Sequence, residues 1–478
     1  MKSDFDKSKT FPYESANDRL QKYNVDKELL MGDHFTAFAI QGESDFTNRY
    51  NRLRYIVSNF CGLVSKVNAD VLFGETVVLE DMGEDQEWAQ ELWDSNNLDV
   101  QMYESSMFGS ALGDIVFKIR VVDNEIIIEN LDPSIWFPHL NSIHRRMDVD
   151  THEIAWIETH EVGGKDQHYL IREIHEPFII TTKVYPLIDT NNSGGGSIMK
   201  DKELDISTFN ELTGQEYEET VETGIDEPLI VTAPNFRQVA SFFGTSDYID
   251  IKQLQFALNN RITVTDSILD KHQDPLLAVP GGILDEHGRV NKKWLDAVEI
   301  GDDGEIPQYV TWDAKMESAF QQIDKLLEML FMATETTPDV LGLGKGAAES
   351  GRALKMRLIR TLAKRNRKQL YFEKLINDIY RICEKLSIAN PELTVNGVKY
   401  ESKDIVMPTI KWSDGIVNDE VEEVDKQVKR ISTGIQSVKG AIRQIEGLTE
   451  EQADERMEEI KSESADVSFP LPDLPNNE

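Results

Sequence analysis

The sequence predicts an α+β chain, and three observations carry that prediction. Apolar residues recur at three-to-four-residue steps in several segments, a block of short β-branched runs lies between residues 115 and 234, and a long basic stretch with helical length follows residue 352. With 478 residues the chain is long enough for a large core and more than one domain. A hydrophobic content of 40% beside 28% charged residues fits a folded globular chain and not a disordered one.

Taken in order, residues 1–29 are polar and acid-containing; they read as a loosely structured arm, not a secretory signal. A helix is predicted from about Asp45 to Leu72, with Leu53, Ile56, Val57, Phe60, Leu63, Val64, Val67 and Val71 on one face and Gly74 ending it. Trp88–Leu112 reads as further helix, closing on Gly113-Asp114. The runs IVFKIRVV, EIIIENL, EIAWIETHEV, HYLIREIHE, FIITTKVY and PLIVTAP, separated by turn pairs such as Asp123-Asn124 and Gly163-Gly164, predict an antiparallel sheet. Residues 187–227, with NNSGGGS inside them, read as a mobile excursion between strands.

A second helical region starts near Asp247, a candidate N-cap, with Ile251, Leu254, Leu258, Ile262, Thr265 and Leu269 at helical steps up to Pro275. The Gly-, Pro- and Asp-rich insert that follows suggests short strands and a turn of helix. Lys315–Thr334 returns to helix, and a glycine-rich loop occupies 336–351. From Arg352 to about Leu386 the pattern is one long helix. Further helices are expected at 419–433, 438–446 and 450–461, the last with a Thr449–Gln452 capping box, before a disordered tail at 462–478.

Composition narrows the function. No stretch approaches the roughly 20 apolar residues of a membrane span. Cys61 and Cys383, the only cysteines, sit in apolar helical surroundings and read as core thiols. Eighty-six acids against 50 bases give a net charge of −36, which argues against a tight nucleic-acid grip. The same charge suits a wall past which a polyanion slides without deep binding wells.

Chemical motifs are weak. GLGKGAAESG fails as a phosphate loop, because Gly346 stands where a hydroxyl is needed and Asp339 where the first glycine belongs. His152, His160, His168 and His175 lie seven or eight apart across the sheet, a spacing that suits sheet histidines better than a metal site. No nucleophile elbow or zinc motif appears, so no enzyme and no cofactor is predicted. The one inversion of an acidic chain is Arg352, Lys355, Arg357, Arg360, Lys364, Arg365, Arg367 and Lys368, read either as a solvated or intersubunit face or as a contact with DNA phosphates. Val421, Val424, Val428, Ile431, Ile435, Val438, Ile442 and Ile445 have coiled-coil spacing. Gly434 and Gly440 inside that seam, with a Ser437 cap, favour short packed helices.

The order of these parts resembles the portal proteins of tailed phages, especially those of phages from Gram-positive bacteria. The resemblance is carried by NRYNRLRYIVSNFCGLVSKVNADVLFGETVVL, by LDPSIWFPHLN, by ETTPDVLGLG with SGRALKMRLIRTLAKRNRKQLYFEKLI, and by the ending from IKWSDGIVNDEV to MEEIKSE. It implies a wing at 30–235, a stem helix within 236–274, a clip at 275–314, a second stem helix at 315–335 and a tunnel loop at 336–351. A basic helix and wing return at 352–414 and a helical crown at 415–461 would complete the subunit. It further implies a ring of about twelve copies around double-stranded DNA, with no enzymatic activity. Implied partners are a terminase large subunit, a head-completion adaptor, and the major capsid and scaffolding proteins, with no membrane.

On this reading Lys345, Arg352, Lys355, Arg357, Arg360 and Lys364 are candidate DNA contacts. Asp285, Arg289, Lys292, Lys293 and Trp294 of the clip are candidate partner contacts. Two rival classes are another capsid component, such as a minor head or scaffold protein, and a nucleotide-hydrolysing translocase. A scaffold would be mostly helical and leave no room for the sheet, and the translocase needs the missing phosphate loop.

Overall fold

The computed structural model describes residues 3–40, 55–140, 149, 151–191, 195–239, 241–272, 276–278, 308–310, 316–341, 351–412, 420–446, 452–454 and 456–460. The chain divides into two compact units, Met1–Leu343 with Arg360–Ser413, and Gly344–Ile359 with Asp414–Glu478. The fold is mixed α+β with antiparallel sheets, as the sequence predicts.

The first unit opens with a correction. Residues 3–31 are not a loose arm: they form α1 (Asp4–Lys7), β1 (Thr10–Phe11) and α2 (Asn17–Met31). Ser3 and Asp6 make a reciprocal cap at the start of α1. Phe5, Phe11, Tyr13, Leu20, Tyr23 and Leu29 are all buried in a core shared with Phe137, Leu170 and Tyr185. Each such side chain contributes about 1.5–3 kcal/mol on burial, enough to order a segment whose other residues are polar.

After α3 (His34–Ile40), the next described helix is α4 (Phe60–Phe73), and Tyr55–Asn59 is not helical as predicted. Asn59 explains the late start: its Oδ1 accepts from Gly62 N (2.8 Å) and caps the helix. Gly74 does end α4, but in the right-handed region. Past β2 (Val78–Glu80), the single helix predicted over 88–112 is two, α5 (Gln86–Ser95) and α6 (Leu98–Leu112). They are separated at Asn97, which adopts φ 51°.

The sheet region holds β3 (Asp114–Val122), β4 (Glu125–Leu131), β5 (Trp136–Pro138), β6 (His152–Val162), β7 (Lys165–Glu176), β8 (Ile179–Ile188) and β9 (Gly196–Ile198). The excursion at 187–227 is structured rather than mobile where described. Besides β9 it contains α7 (Ile206–Thr213) and β10 (Thr220–Glu222). Phe209 of α7 is fully buried against Tyr169, Ile171 and Val184. β11 (Ile230–Pro234) returns to pair with β3. Among the described residues one antiparallel sheet runs β1-β9-β8-β7-β6-β5 with β10 on β8, and a second runs β11-β3-β4.

Two helices, α8 (Lys252–His272) and α9 (Met316–Ala333), pack against each other. Between them β12 (Leu276–Ala278) pairs antiparallel with β13 (Gln308–Val310). Then α10 (Gly351–Ala389) forms the predicted long helix; its start falls in the second unit. Phe372, Leu375, Ile376, Ile379 and Tyr380 of α10 enter a core with α5, β3, β4 and β11. β14 (Thr409–Lys411) closes the unit by pairing with β2. Cys61 and Cys383 are buried free thiols.

The second unit contains α11 (Glu420–Ser432) and α12 (Val438–Glu446), two short helices rather than one coil. Gly434 separates them at φ 71°, and Ser437 Oγ accepts from Gly440 N (3.1 Å) at the start of α12. Residues 452–454 and 456–460 are helical, whereas Thr449 of the expected capping box lies outside the described residues, as does the tail at 462–478. Among the described residues no helix is long and apolar enough to cross a membrane.

Candidate functional site

Helices α4, α6 and α10 bring side chains to one buried carboxylate, Asp247. Asp247 stands five residues before α8, too early to cap it, and its side chain points instead into the protein. Lys364 Nζ lies 2.9 Å from Asp247 Oδ1 and Lys368 Nζ 2.7 Å from Oδ2. Ser110 Oγ (2.6 Å) and Asn68 Nδ2 (3.2 Å) donate to the same carboxylate. The two lysines are one turn apart on α10 and so share a face. Burial by itself would raise the Asp247 carboxyl, but the two ammonium groups overcome it and hold the group well below the usual carboxylate range. Burial pushes the Lys368 ammonium down to about 8, with Asp247 opposing the shift.

Lys364 also reaches the residue that follows α9. Lys364 Nζ donates to Thr334 O (3.0 Å). Thr361 Oγ1 donates to Glu335 O (3.1 Å) and accepts from Thr337 N (3.0 Å). Glu335 itself turns through φ 55°, a left-handed conformation, and its carboxylate takes Arg367 at 2.6 Å. The reversal at 334–337 is therefore clamped to α10 through side chains spaced three or four apart. A Thr361→Val variant should lose about 1–3 kcal/mol, since it leaves Glu335 O and Thr337 N without their partner. Chemical denaturation measures this; stability equal to the parent would show that the reversal holds itself.

A second polar seam fixes α8 to residues 26–59. Lys252 pairs with the buried Asp26 at 2.6 Å, and burial raises that carboxyl to about 6. Gln255 Nε2 donates to Ser58 O (2.6 Å), while Asn259 Oδ1 accepts from Ser58 N (3.2 Å) and its Nδ2 donates to His34 Nδ1 (2.9 Å). Thr263 Oγ1 accepts from Ile56 N (3.0 Å). Buried His34 is a neutral ring, its pKa lowered mainly by desolvation. These polar positions step by three and four along α8. The sequence reading registered only the apolar face beside them; a polar stripe at that spacing was the available signal.

The predicted DNA contacts separate. Lys355, Arg357 and Arg360 are exposed on α10. Lys364 is corrected: it is buried and committed to Asp247 and Thr334 O, so it is not a phosphate contact. Lys368, which shares its fate, belongs to the joint as well. Arg352 lies in α10 without a described side chain, and Lys345 lies outside the described residues. So do Asp285, Arg289, Lys292, Lys293 and Trp294. His152 and His175 face each other across β6 and β7, both buried, and among the described residues no group of three or more metal-ligating side chains gathers.

What this arrangement can do is mechanical. It ties the start of α8, the end of α9 and the body of α10 to one charge. The phage portal protein family described as SPP1 Gp6-like matches residues 191–468, more than half of the chain. The chain belongs to that family. This makes it a structural portal protein of the phage virion and not an enzyme. The matched stretch contains α8, α9, α10, α11 and α12 of this portal chain.

No curated protein matches the portal chain. Among solved structures it is similar to a chain from the virion of a native gene transfer agent particle. The two are 12% identical, with 81% of this chain and 88% of that chain covered at a TM-score of 0.41. A chain from the neck of the empty particle, computed with C6 symmetry, gives the same values. One from the neck of the native particle, computed with C12 symmetry, is 11% identical over 80% of this chain and 89% of that one, at a TM-score of 0.38.

Proposed function

We propose that copies of this chain close into a ring of about twelve subunits at one capsid vertex, a conduit for double-stranded DNA during packaging and ejection. In this assignment α8 and α9 are the stem, residues 275–314 the clip, 336–351 the tunnel loop and 415–461 the crown. The observation that carries the ring is the surface of α9. Met329 and Met332 are 43% and 62% exposed on the side of α9 away from the buried Phe331, and Phe320, half a turn round from Met329, is 49% exposed. Apolar side chains left exposed on two sides of one helix suit neighbouring copies. Electron microscopy of the purified protein, with mass determination in solution, tests it. Closed rings with a duplex-wide hole are expected, and a monomer or an open filament would overturn the reading.

The conduit is passive. A chain of net charge −36 presents a mostly repulsive wall, and the tunnel-loop Lys345 with the exposed Lys355, Arg357 and Arg360 supplies weak, sequence-independent phosphate contacts. Arg352 belongs with them by position. The clip residues Asp285, Arg289, Lys292, Lys293 and Trp294 offer charge and one aromatic anchor to a terminase large subunit first and a head-completion adaptor later. The capsid and scaffolding proteins would meet the outside of the ring. Lys345→Ala should leave ring assembly intact and change the amount or retention of packaged DNA. Normal full-length packaging by that variant would remove Lys345 from the mechanism.

A further inference from the structure

The first unit contains a second buried ionisable cluster, away from the joint at Asp247. Asp85, at the turn leading into α5, and Glu384, near the end of α10, are both buried. Each uses one carboxylate oxygen to hold the irregular segment between α10 and β14. Asp85 Oδ1 accepts from Glu401 N (2.6 Å) and Ser402 N (3.3 Å), and Glu384 Oε2 accepts from Val406 N (3.0 Å). The other oxygens, Asp85 Oδ2 and Glu384 Oε1, are buried without a hydrogen-bond donor. Among the described residues neither carboxylate has a lysine, arginine or histidine paired with it.

Two mutually repelling buried carboxylates with no cation beside them are not stable as a doubly charged pair. We propose that Glu384 is protonated while the segment 400–406 is closed on α10, and that loss of this proton beside the Asp85 carboxyl releases the segment. Glu384 Oε1 can then carry the proton, since a protonated carboxyl is a donor as well as an acceptor.

The neighbours support the assignment. Burial, then the Asp85 charge, pushes the Glu384 carboxyl up to about 8. Tyr400, whose ring packs on Trp88 at 4.8 Å, lies beside both carboxylates, and its hydroxyl donates to Asp404 O (2.8 Å). Tyr380 and Cys383, on the same helix as Glu384, are both raised by burial and stay protonated with it. The charged residues of the segment itself, Glu401, Lys403 and Asp404, are exposed. Among the described residues no group facing Glu384 supplies the missing positive charge.

The sign follows from the closed segment holding a proton that the open one gives up. Protection is complete below the ordinary carboxylate range and falls as pH rises. It is lost about tenfold per pH unit until it levels near 8, where the closed form has also ionised. Hydrogen exchange on the full-length protein reads this at the amides of Glu401, Ser402 and Val406. Glu384→Gln keeps the shape and cannot ionise, and the ratio of variant to parent at each pH cancels the intrinsic chemistry. The expected result is a parent whose protection falls about a hundredfold from pH 6 to pH 8 beside a variant that stays level. Equal pH dependence in the two proteins would overturn the proposal. So would restoration of parent protection at pH 8 by added calcium or magnesium, lost in Glu384→Gln, because a metal ion would then be the compensating charge.

Discussion

Replacing Asp247 with alanine should destabilise the first unit by about 3–5 kcal/mol. The reason is what remains. Lys364 and Lys368 would keep their places at 4% and 2% side-chain exposure with no counter-charge, and Ser110 and Asn68 would lose their acceptor. The burden should disappear when the charges leave together. In Asp247→Ala combined with Lys364→Met and Lys368→Met, apolar side chains of similar length fill the same space, and most of the stability should return. Equilibrium denaturation of the three proteins decides it. A single variant within about 1 kcal/mol of the parent would mean that the lysines escape to water and that the joint is not buried in practice.

The same joint has a pH signature. Folding pushes Lys368 down to about 8 from 10.5, so between those values the folded chain binds fewer protons than the unfolded one. This group's contribution to stability therefore rises with pH across that window. Loss of the Lys368 proton leaves Lys364 and Asp247 as a simple pair.

Much of this architecture was written in local pattern. Ile251 just before α8 and Leu258 within it are fully buried, as their spacing requires, and Gly434 breaks the C-terminal seam where its cost in a helix says it should. The Asp247 joint was not legible. Its partner Lys368 lies 121 residues away, and a run of bases on a helix reports charge without reporting which face meets an acid. The reading of Lys364 as a DNA contact failed for that reason. Residues 3–16 failed differently: Phe5, Phe11 and Tyr13 are too few and too irregularly spaced to signal an element, yet each fills a place in a core built by strands far along the chain.

That N-terminal segment depends on a third buried charge, and Arg172→Met should free it. Arg172 makes two parallel bonds to Glu153, Nε to Oε1 at 2.9 Å and an Nη to Oε2 at 2.8 Å. Its guanidinium also lies 3.5 Å from the Phe5 ring centroid, and Tyr13 OH donates to Glu153 Oε1 at 2.5 Å. One ion pair thus anchors Phe5 and Tyr13, two of the three aromatic residues that seat the segment. Without Arg172, Glu153 is left buried with His139 and Tyr13, and a loss of about 3–5 kcal/mol is expected, concentrated on residues 3–16. Trypsin cleavage after the exposed Lys7 or Lys9 should accelerate about a hundredfold, the factor that roughly 3 kcal/mol of easier local opening implies. Acid probes the same anchor in the parent. Although burial opposes it, Arg172 with His139 and Tyr13 holds the Glu153 carboxyl down to about 2. The stabilisation is therefore complete above the ordinary glutamate range and is lost progressively, about tenfold in local opening per pH unit, as pH falls from there toward 2, so protection of the segment should decline across that window. An unchanged trypsin rate in Arg172→Met would place the anchoring energy in the aromatic packing alone.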